Sequence, residues 1–264
     1  MLIVGELINT SRQSVRKMVE TKNKDGIVDL ALTQEQTGVD YLDINCGTFM
    51  EKEPEVMEWL VKTVREVCDI PLCIDSPSYE VLKIGLDNCS SKSMINSTTF
   101  ETERFNKVAP LAAEFGAKLI ALCIDDNGMP NSSEDRVRIA NEMITRLNNF
   151  GLYNDDIYID PLIKPISAGI NNGIEVLHAI PEIIKENPGI HFICGLTNIS
   201  FNLPARKVIN KTFMIQTMTM GMDSYIIDLT NKEVAGALLA SNMLLGKDKY
   251  CKGYIKAYRN GIYG

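Results

Sequence analysis

Histidine, tryptophan and runs of one charge are what this chain of 264 residues has least of. Its two histidines, His178 and His191, exclude a site built on a histidine cluster. Lysine and arginine number 27 against 34 acidic residues, a formal charge of −7. With no basic block either, sequence-independent attraction to a nucleic acid backbone is disfavoured. No stretch approaches the roughly 20 apolar residues of a spanning helix, so no membrane association is expected. The start, Met1-Leu-Ile-Val-Gly-Glu6, runs into a carboxylate without a basic leader and reads as a strand rather than a signal. The seven cysteines are odd in number and form no Cys-x-x-Cys pair, which argues against a disulfide scaffold. Cys46, Cys73, Cys123 and Cys194 sit in apolar runs, where cysteine is a small buried hydrophobe. A soluble protein of the reducing cytoplasm is expected.

Two hydrophobic periods alternate along the chain. Short β-rich runs are predicted at Leu2–Leu7, Tyr41–Asn45, Leu72–Asp75, Ser93–Asn96, Lys118–Ile124, Ile157–Asp160, His191–Leu196 and Ser224–Asp228. Helical spacing predicts helices at Asp25–Thr37, Pro54–Val67, Thr102–Phe115, Ser132–Gly151, Gly173–Lys185, Pro204–Met220 and Lys232–Leu245. Met57, Leu60, Val61 and Val64 share one helix face, Ser132 is placed to cap the helix that follows it, and Gly116, Gly189 and Gly246 fall where helices stop. Eight strands alternating with helices at this length predict an α/β fold, a single (β/α)8 TIM barrel of the whole chain, 1–264. A doubly wound sheet is the runner-up, but Gly5-Glu-Leu-Ile-Asn9 is no dinucleotide turn. From about 247 a short tail places Tyr250, Tyr254 and Tyr258 four residues apart, as in a terminal helix docked on the barrel or at a dimer seam.

In such a barrel the chemistry sits at the carboxyl ends of the strands. Those positions here are Glu6 and Asn9, Asp43 and Asn45, Asp75, Asn96, Asp125 and Asp126, Asp160, Asn198, and Asp228. Singly, each is as well explained as a cap on the helix that follows. As a set they form an acidic, amide-rich rim. No phosphate cradle accompanies it for Mg2+, and zinc lacks its histidine or paired cysteine ligands, so no bound metal is expected. A flat heterocycle with donors and acceptors on its edge fits better: an Asp accepts two hydrogen bonds from an amino-pyrimidinone edge, and an Asn both donates and accepts.

Seven segments carry a family resemblance: Gly5-Glu-Leu-Ile-Asn9, Leu42-Asp43-Ile-Asn45, Cys73-Ile-Asp75-Ser76, Met94-Ile-Asn-Ser-Thr98, Tyr158-Ile-Asp-Pro161, Gly195-Leu-Thr-Asn-Ile-Ser200 and Ile209-Asn-Lys-Thr-Phe213. Together, collinear to about Leu245, they resemble the methyltetrahydrofolate:corrinoid protein methyltransferases, relatives of the folate domain of cobalamin-dependent methionine synthase and, more distantly, of dihydropteroate synthase. The resemblance implies a homodimeric pterin-binding barrel. Its substrate would be tetrahydrofolate or 5-methyltetrahydrofolate, and its cobalt a corrinoid held on a partner protein. By position it implies that Asp75, Asn96 and Asp160 hold the pterin ring, and that Asn198 is a mobile catalytic asparagine approaching N5. Asp43, Gly195 and Arg206 map to the same rim. Leu7 stands where many members have arginine, and Phe201 where some have a polar residue. These departures favour a component of an O-demethylase system over transfer to the corrinoid iron–sulfur protein of acetyl-CoA synthesis.

The resemblance leaves three competitors. Dihydropteroate synthase chemistry needs a lysine after the seventh strand and a basic motif near the eighth, and this chain has Gly195-Leu-Thr-Asn198 and Ile227-Asp-Leu-Thr230 there. A non-catalytic folate-binding protein has no need of Asn198. A metal-dependent aldolase-like barrel would lose activity to a chelator.

Overall fold

The computed structural model describes residues 1–89 and 92–263. Among these residues eight strands alternate with helices: β1 (Leu2–Asn9), β2 (Tyr41–Asn45), β3 (Leu72–Asp75), β4 (Met94–Thr99), β5 (Lys118–Leu122), β6 (Ile157–Asp160), β7 (His191–Phe192) and β8 (Ser224–Ile227). The helices are α1 (Gln13–Glu20), α2 (Lys24–Thr37), α3 (Glu53–Arg65), α4 (Tyr79–Asp87), α5 (Thr102–Phe115), α6 (Ser133–Asn149), α7 (Asn172–Glu186), α8 (Arg206–Met220), α9 (Lys232–Leu244) and α10 (Lys252–Arg259). The strands lie in the order β7-β6-β5-β4-β3-β2-β1-β8, every ladder parallel. Beyond β7 the chain closes the sheet onto β8 through a single bridge between Gly195 and Ile226, with Ile226 N–H donating to the Cys194 carbonyl at 3.0 Å. The expected barrel is therefore the fold, and the doubly wound sheet is not.

The strand sequences are apolar on both faces because both faces are buried. One parity of side chains packs inside the barrel: Val4, Tyr41, Cys73, Met94, Ile120, Tyr158 and Ile193, with Leu2, Leu122 and Ile226 against them. The other parity, including Leu42, Ile74, Ile95, Leu119 and Ile159, joins the larger core under the helices. That inner layer is the floor of the mouth described below.

Helix boundaries follow local chemistry. Ser132 Oγ accepts from Asp135 N–H at 3.1 Å and starts α6. Pro54 lies in the first turn of α3, whose Met57, Leu60, Val61 and Val64 are buried together. Gly116 ends α5 at φ 57°, a left-handed conformation that costs glycine little. β7 is shorter than predicted because the chain bends after Phe192 toward a 3-10 turn at Leu196–Ser200. Pro204 and Ala205 (φ 51°) delay α8 to Arg206. The tail forms α10 against α9, but Tyr250 lies ahead of the helix at φ 59°, so the three tyrosines make no common stripe: Tyr254 meets the Tyr263 ring at 4.6 Å while Tyr250 and Tyr258 are exposed.

Two further helices, α1 and α4, were not predicted. α1 buries only Val15 and Val19, too few for a period to show. In α4 an interior glycine masks the pattern. A Cβ at Gly85 would lie 2.5 Å from Ile74 Cγ2, so the helix approaches β3 only because that atom is missing. Gly85→Ala is expected to destabilise the protein by about 1–3 kcal/mol, as overpacking does. A shifted urea midpoint checks this, and an unmoved midpoint contradicts the close approach.

Candidate active site at the barrel mouth

Along a strand, residues two apart face the same way. Stepping two residues up each strand from its lumen-packing side chain reaches Glu6, Asp43, Asp75, Asn96, Leu122, Asp160, Gly195 and Asp228. Glu6, Asp43, Asp75, Asn96, Asp160 and Asp228 of the inferred rim thus share one layer, directly above the packed apolar lumen. Strand register ties part of it together, since Asn45 is opposite Asp75 and Asp75 opposite Asn96.

Within this layer Asp43, Asp75 and Asn96 form a connected cluster. Asn96 Nδ2 donates to Asp43 Oδ1 at 3.3 Å, and Asn45 Nδ2 donates to Asp75 Oδ2 at 2.7 Å. Asn45 is in turn oriented by Gly47 N–H, which donates to its Oδ1 at 3.2 Å. Asp43 is 2 % exposed, and burial with the nearby Asp75 carboxylate raises its pKa well above the usual carboxylate range, against the bond from Asn96. Burial pushes Asp75 up to about 6, opposed by the bond from Asn45. Across the mouth, burial pushes Asp160 up to about 7, while Leu162 N–H, donating to its Oδ1 at 2.8 Å, pulls the other way. Asp75 and Asp160 are carboxyls poised to exchange a proton for a ligand's donors near neutrality.

Asn198 lies on the 3-10 turn after β7. Its side chain is exposed and makes no hydrogen bond to another described residue, so its carboxamide is free to turn toward a ligand. Gly195 leaves room beside it: a Cβ there would stand 3.5 Å from Asn198 Nδ2. Arg206 grips this turn from outside, its Nη2 donating to the Thr197 carbonyl at 2.8 Å and its Nε to Ser200 Oγ at 3.0 Å. The structure therefore places Arg206 as the residue that holds the Asn198 turn. Cys194 is fully buried and packs its sulfur against Met222.

Other members of the predicted rim do the structural work of turns and caps. Asp126 accepts from Thr102 N–H at 3.0 Å and so starts α5, and Asp125 binds Arg138 at 2.8 Å. Asn9 Oδ1 receives Ser11 N–H at 2.9 Å. The histidines stand apart: His191 pairs with Asp223 at 2.6 Å at the opening of β7, and His178 lines a groove with α6 residues. Leu7 is buried, with its N–H donating to Gln34 Oε1 at 2.9 Å where the β1–β2 register slips, and Phe201 is half-exposed at the rim.

Three positioning residues were missed by sequence reasoning. Arg136 is fully buried in α6 and donates to the carbonyls of Pro161 at 2.8 Å, Leu162 at 3.3 Å and Ser132 at 2.9 Å, fixing the loop that carries Asp160. Arg104 spans the ends of β3 and β4, donating to the carbonyls of Ser76, Pro77 and Ser97. Glu53 is buried and accepts from Ser76 Oγ at 2.7 Å, behind Asp75. Their signal in the sequence was a charge at helix-core spacing, as with Arg136, Ala140, Met143 and Leu147.

A barrel whose top layer is carboxylate and carboxamide, with no fixed charge from arginine or lysine in that layer, defines a receptor for a polar heterocycle. Residues 5–228 match the family model described as pterin binding enzyme, and the chain belongs to that family. Over 266 aligned residues, all of this chain and 98% of its relative, it is 36% identical to a methylcorrinoid:tetrahydrofolate methyltransferase of Eubacterium limosum. It is also 31% identical over 240 residues, 86% of this chain, to a methionine synthase of Mycobacterium tuberculosis, of whose length the match covers only 20%. Among solved structures a Yersinia pestis dihydropteroate synthase with a pterine-sulfa conjugate is similar at a TM-score of 0.70 over 93% of each chain. At 14% identity it speaks for the fold alone. Among the described residues no helix is long and apolar enough to cross a membrane.

Proposed function

We propose that this chain is a methyltransferase that moves a methyl group between the cobalt of a corrinoid on a partner protein and N5 of tetrahydrofolate. The observation that carries the reading is the polar layer above the lumen. On this reading Asp75 and Asp160 offer acceptors and Asn96 an amide to an amino-pyrimidinone edge, and Asn198 approaches the ring from the β7 side. Asp43 orders Asn96, Gly195 gives the ring room, and Arg206 holds the Asn198 turn. The relative's name favours the direction from methylcorrinoid to folate, which suits a demethylation system.

In that direction N5 attacks the methyl carbon in line. The N5–C bond forms, the Co–C bond breaks with its electron pair left on cobalt as Co(I), and N5 sheds its proton to water. In reverse, Co(I) attacks the methyl group and the electron pair returns to N5, a poor leaving group. In the reverse direction a hydrogen bond from Asn198 Nδ2 strengthens as negative charge grows on N5 and lowers the barrier; in the forward direction N5 becomes positive and Asn198 Oδ1 can accept from its N–H. An asparagine cannot deliver a full proton, so the proton itself travels through water. No side chain need form a covalent bond to the methyl group. We place the enzyme in the cytoplasm, with its seven free thiols, and as a homodimer, for which exposed Ile174, Val208 and Ile215 give α7 and α8 an apolar face.

Pterin binding is expected to depend on pH with a sign fixed by the carboxyls. The ring's donors need ionised Asp160, whose pKa in the empty site is about 7. Affinity should hold above that value and fall, by up to roughly tenfold per pH unit, as pH drops below it. In the ligand-free protein the sign is opposite: a carboxyl with a raised pKa stabilises the fold in acid and loses that contribution as pH rises through about 7. Equilibrium titration with 5-methyltetrahydrofolate across neutrality checks the first. A pH-independent affinity contradicts it.

A further inference from the structure

Behind the mouth, one buried cation lacks the partner that burial normally demands. Arg136, near the start of α6, is fully buried, and among the described residues no carboxylate forms an ion pair or hydrogen bond with it. Its guanidinium is spent on backbone carbonyls instead: Nε on Pro161 at 2.8 Å, Nη1 on Ser132 at 2.9 Å and Nη2 on Leu162 at 3.3 Å. A charge withdrawn from water without a counter-ion is costly, and an apolar side chain of similar volume would fill the same space more favourably. Packing therefore does not account for an arginine here.

The loop it grips does. Pro161 and Leu162 directly follow Asp160, and Leu162 is held at φ 60°, a left-handed conformation that disfavours a leucine. In that conformation Leu162 N–H turns back to Asp160 Oδ1 at 2.8 Å. Asp160 Oδ2 makes no hydrogen bond within the described protein and is left for a ligand. Arg136 thus holds the carbonyls on both sides of the strained residue that aims Asp160.

The charges around Asp160 point the same way. It is faced by Cys123 from the end of β5, by Cys194 from beyond β7 and by Arg136 from α6. Burial raises both thiols far above their usual range, so they stay neutral, and Arg136 is the charge that opposes the effect of burial on Asp160. Asp135 and Glu175, which also act on Arg136, are engaged by the N–H groups of Asn131 and Ser133, and Lys164 by the Pro130 carbonyl. Asp75 differs, since Glu53 and Arg104 act on it with opposite signs.

We infer that Arg136 does more than brace this loop: it is the fixed positive charge against which Asp160 takes the ring's donors, and so the residue that decides where in pH folate is held. It acts through Asp160, from a helix behind the site. The inference rests on the pterin reading of the mouth and deepens it.

Equilibrium titration of the full chain with 5-methyltetrahydrofolate, repeated across neutrality, tests this. In Arg136→Met the pH below which affinity falls should rise by about one unit, with binding at neutral pH weakened about tenfold or more. Arg136→Lys keeps the charge and loses the fork, so that pH should stay near the parent's while affinity falls severalfold at every pH. Against Asp160→Asn, which has no charge to hold, replacing Arg136 should cost far less than it does in the parent. An Arg136→Met protein that loses affinity equally at all pH values, or loses none, overturns the inference and leaves the pterin reading standing. Should that variant not fold, Arg136→Lys combined with Asp160→Asn decides: losses smaller together than their product support the coupling, and fully additive free energies overturn it. A parent protein that does not bind 5-methyltetrahydrofolate removes the pterin reading, and the inference with it.

Discussion

Asn198→Ala is expected to slow methyl transfer by about a hundredfold while changing folate affinity by no more than a few fold. Removing one donor aimed at a developing charge costs roughly 10²–10³ in rate when water is excluded around it. Ground-state binding changes little because the Asn198 carboxamide makes no bond within the described protein and leaves no buried partner stranded. Single-turnover kinetics, with the methyl donor and acceptor preloaded, separate the two quantities. A variant that loses affinity and rate in equal proportion would show Asn198 to be a binding residue, and an unchanged rate would remove it from the chemistry.

Asp160→Ala should act on the other quantity, weakening pterin binding by about a hundredfold or more. Two donors on the ring edge would face a site with no acceptor, and each stranded buried donor costs roughly 1–3 kcal/mol. A tenfold change in affinity corresponds to about 1.4 kcal/mol. Asp75→Ala should weaken binding less cleanly, since it also frees Asn45 Nδ2 and relieves the neighbouring Asp43 of a like charge. Isothermal titration against both variants separates these effects. Asp160→Ala that binds 5-methyltetrahydrofolate as the parent does would displace the pterin from the place assigned to it. The two variants differ in stability too: losing the raised carboxyl of Asp160 should make the ligand-free protein less sensitive to pH across neutrality.

Much of this was legible because a parallel barrel writes itself in runs apolar on both faces, ended by the polar residues of its mouth. Ile74-Asp75 and Ile159-Asp160 show an apolar strand and its polar end within two letters. What could not be read was the difference between a strand end that enters the mouth and one that turns away. Asp125 and Asp126 look like Asp160 in sequence, yet they serve Arg138 and the start of α5. Only the structure separates them: Asp160 closes β6 two residues above Tyr158, whereas β5 ends at Leu122 and leaves Asp125 and Asp126 in the loop beyond it. The supporting arginines were hidden for a different reason. Arg136 finds its partners in the carbonyls of Pro161 and Leu162, groups that every residue carries and no sequence distinguishes.

The most direct measurement is methyl transfer itself, with the protein, tetrahydrofolate and a methylcob(III)amide as the only reactants. Cobalt is followed by its absorbance and the folate by chromatography. The predicted result is protein-dependent formation of cob(I)amide and 5-methyltetrahydrofolate in equal amounts, reversible when the products are supplied, and strongly reduced in Asn198→Ala. Tight folate binding with no transfer in either direction would contradict a methyltransferase, leaving the polar ring as a receptor without a reaction.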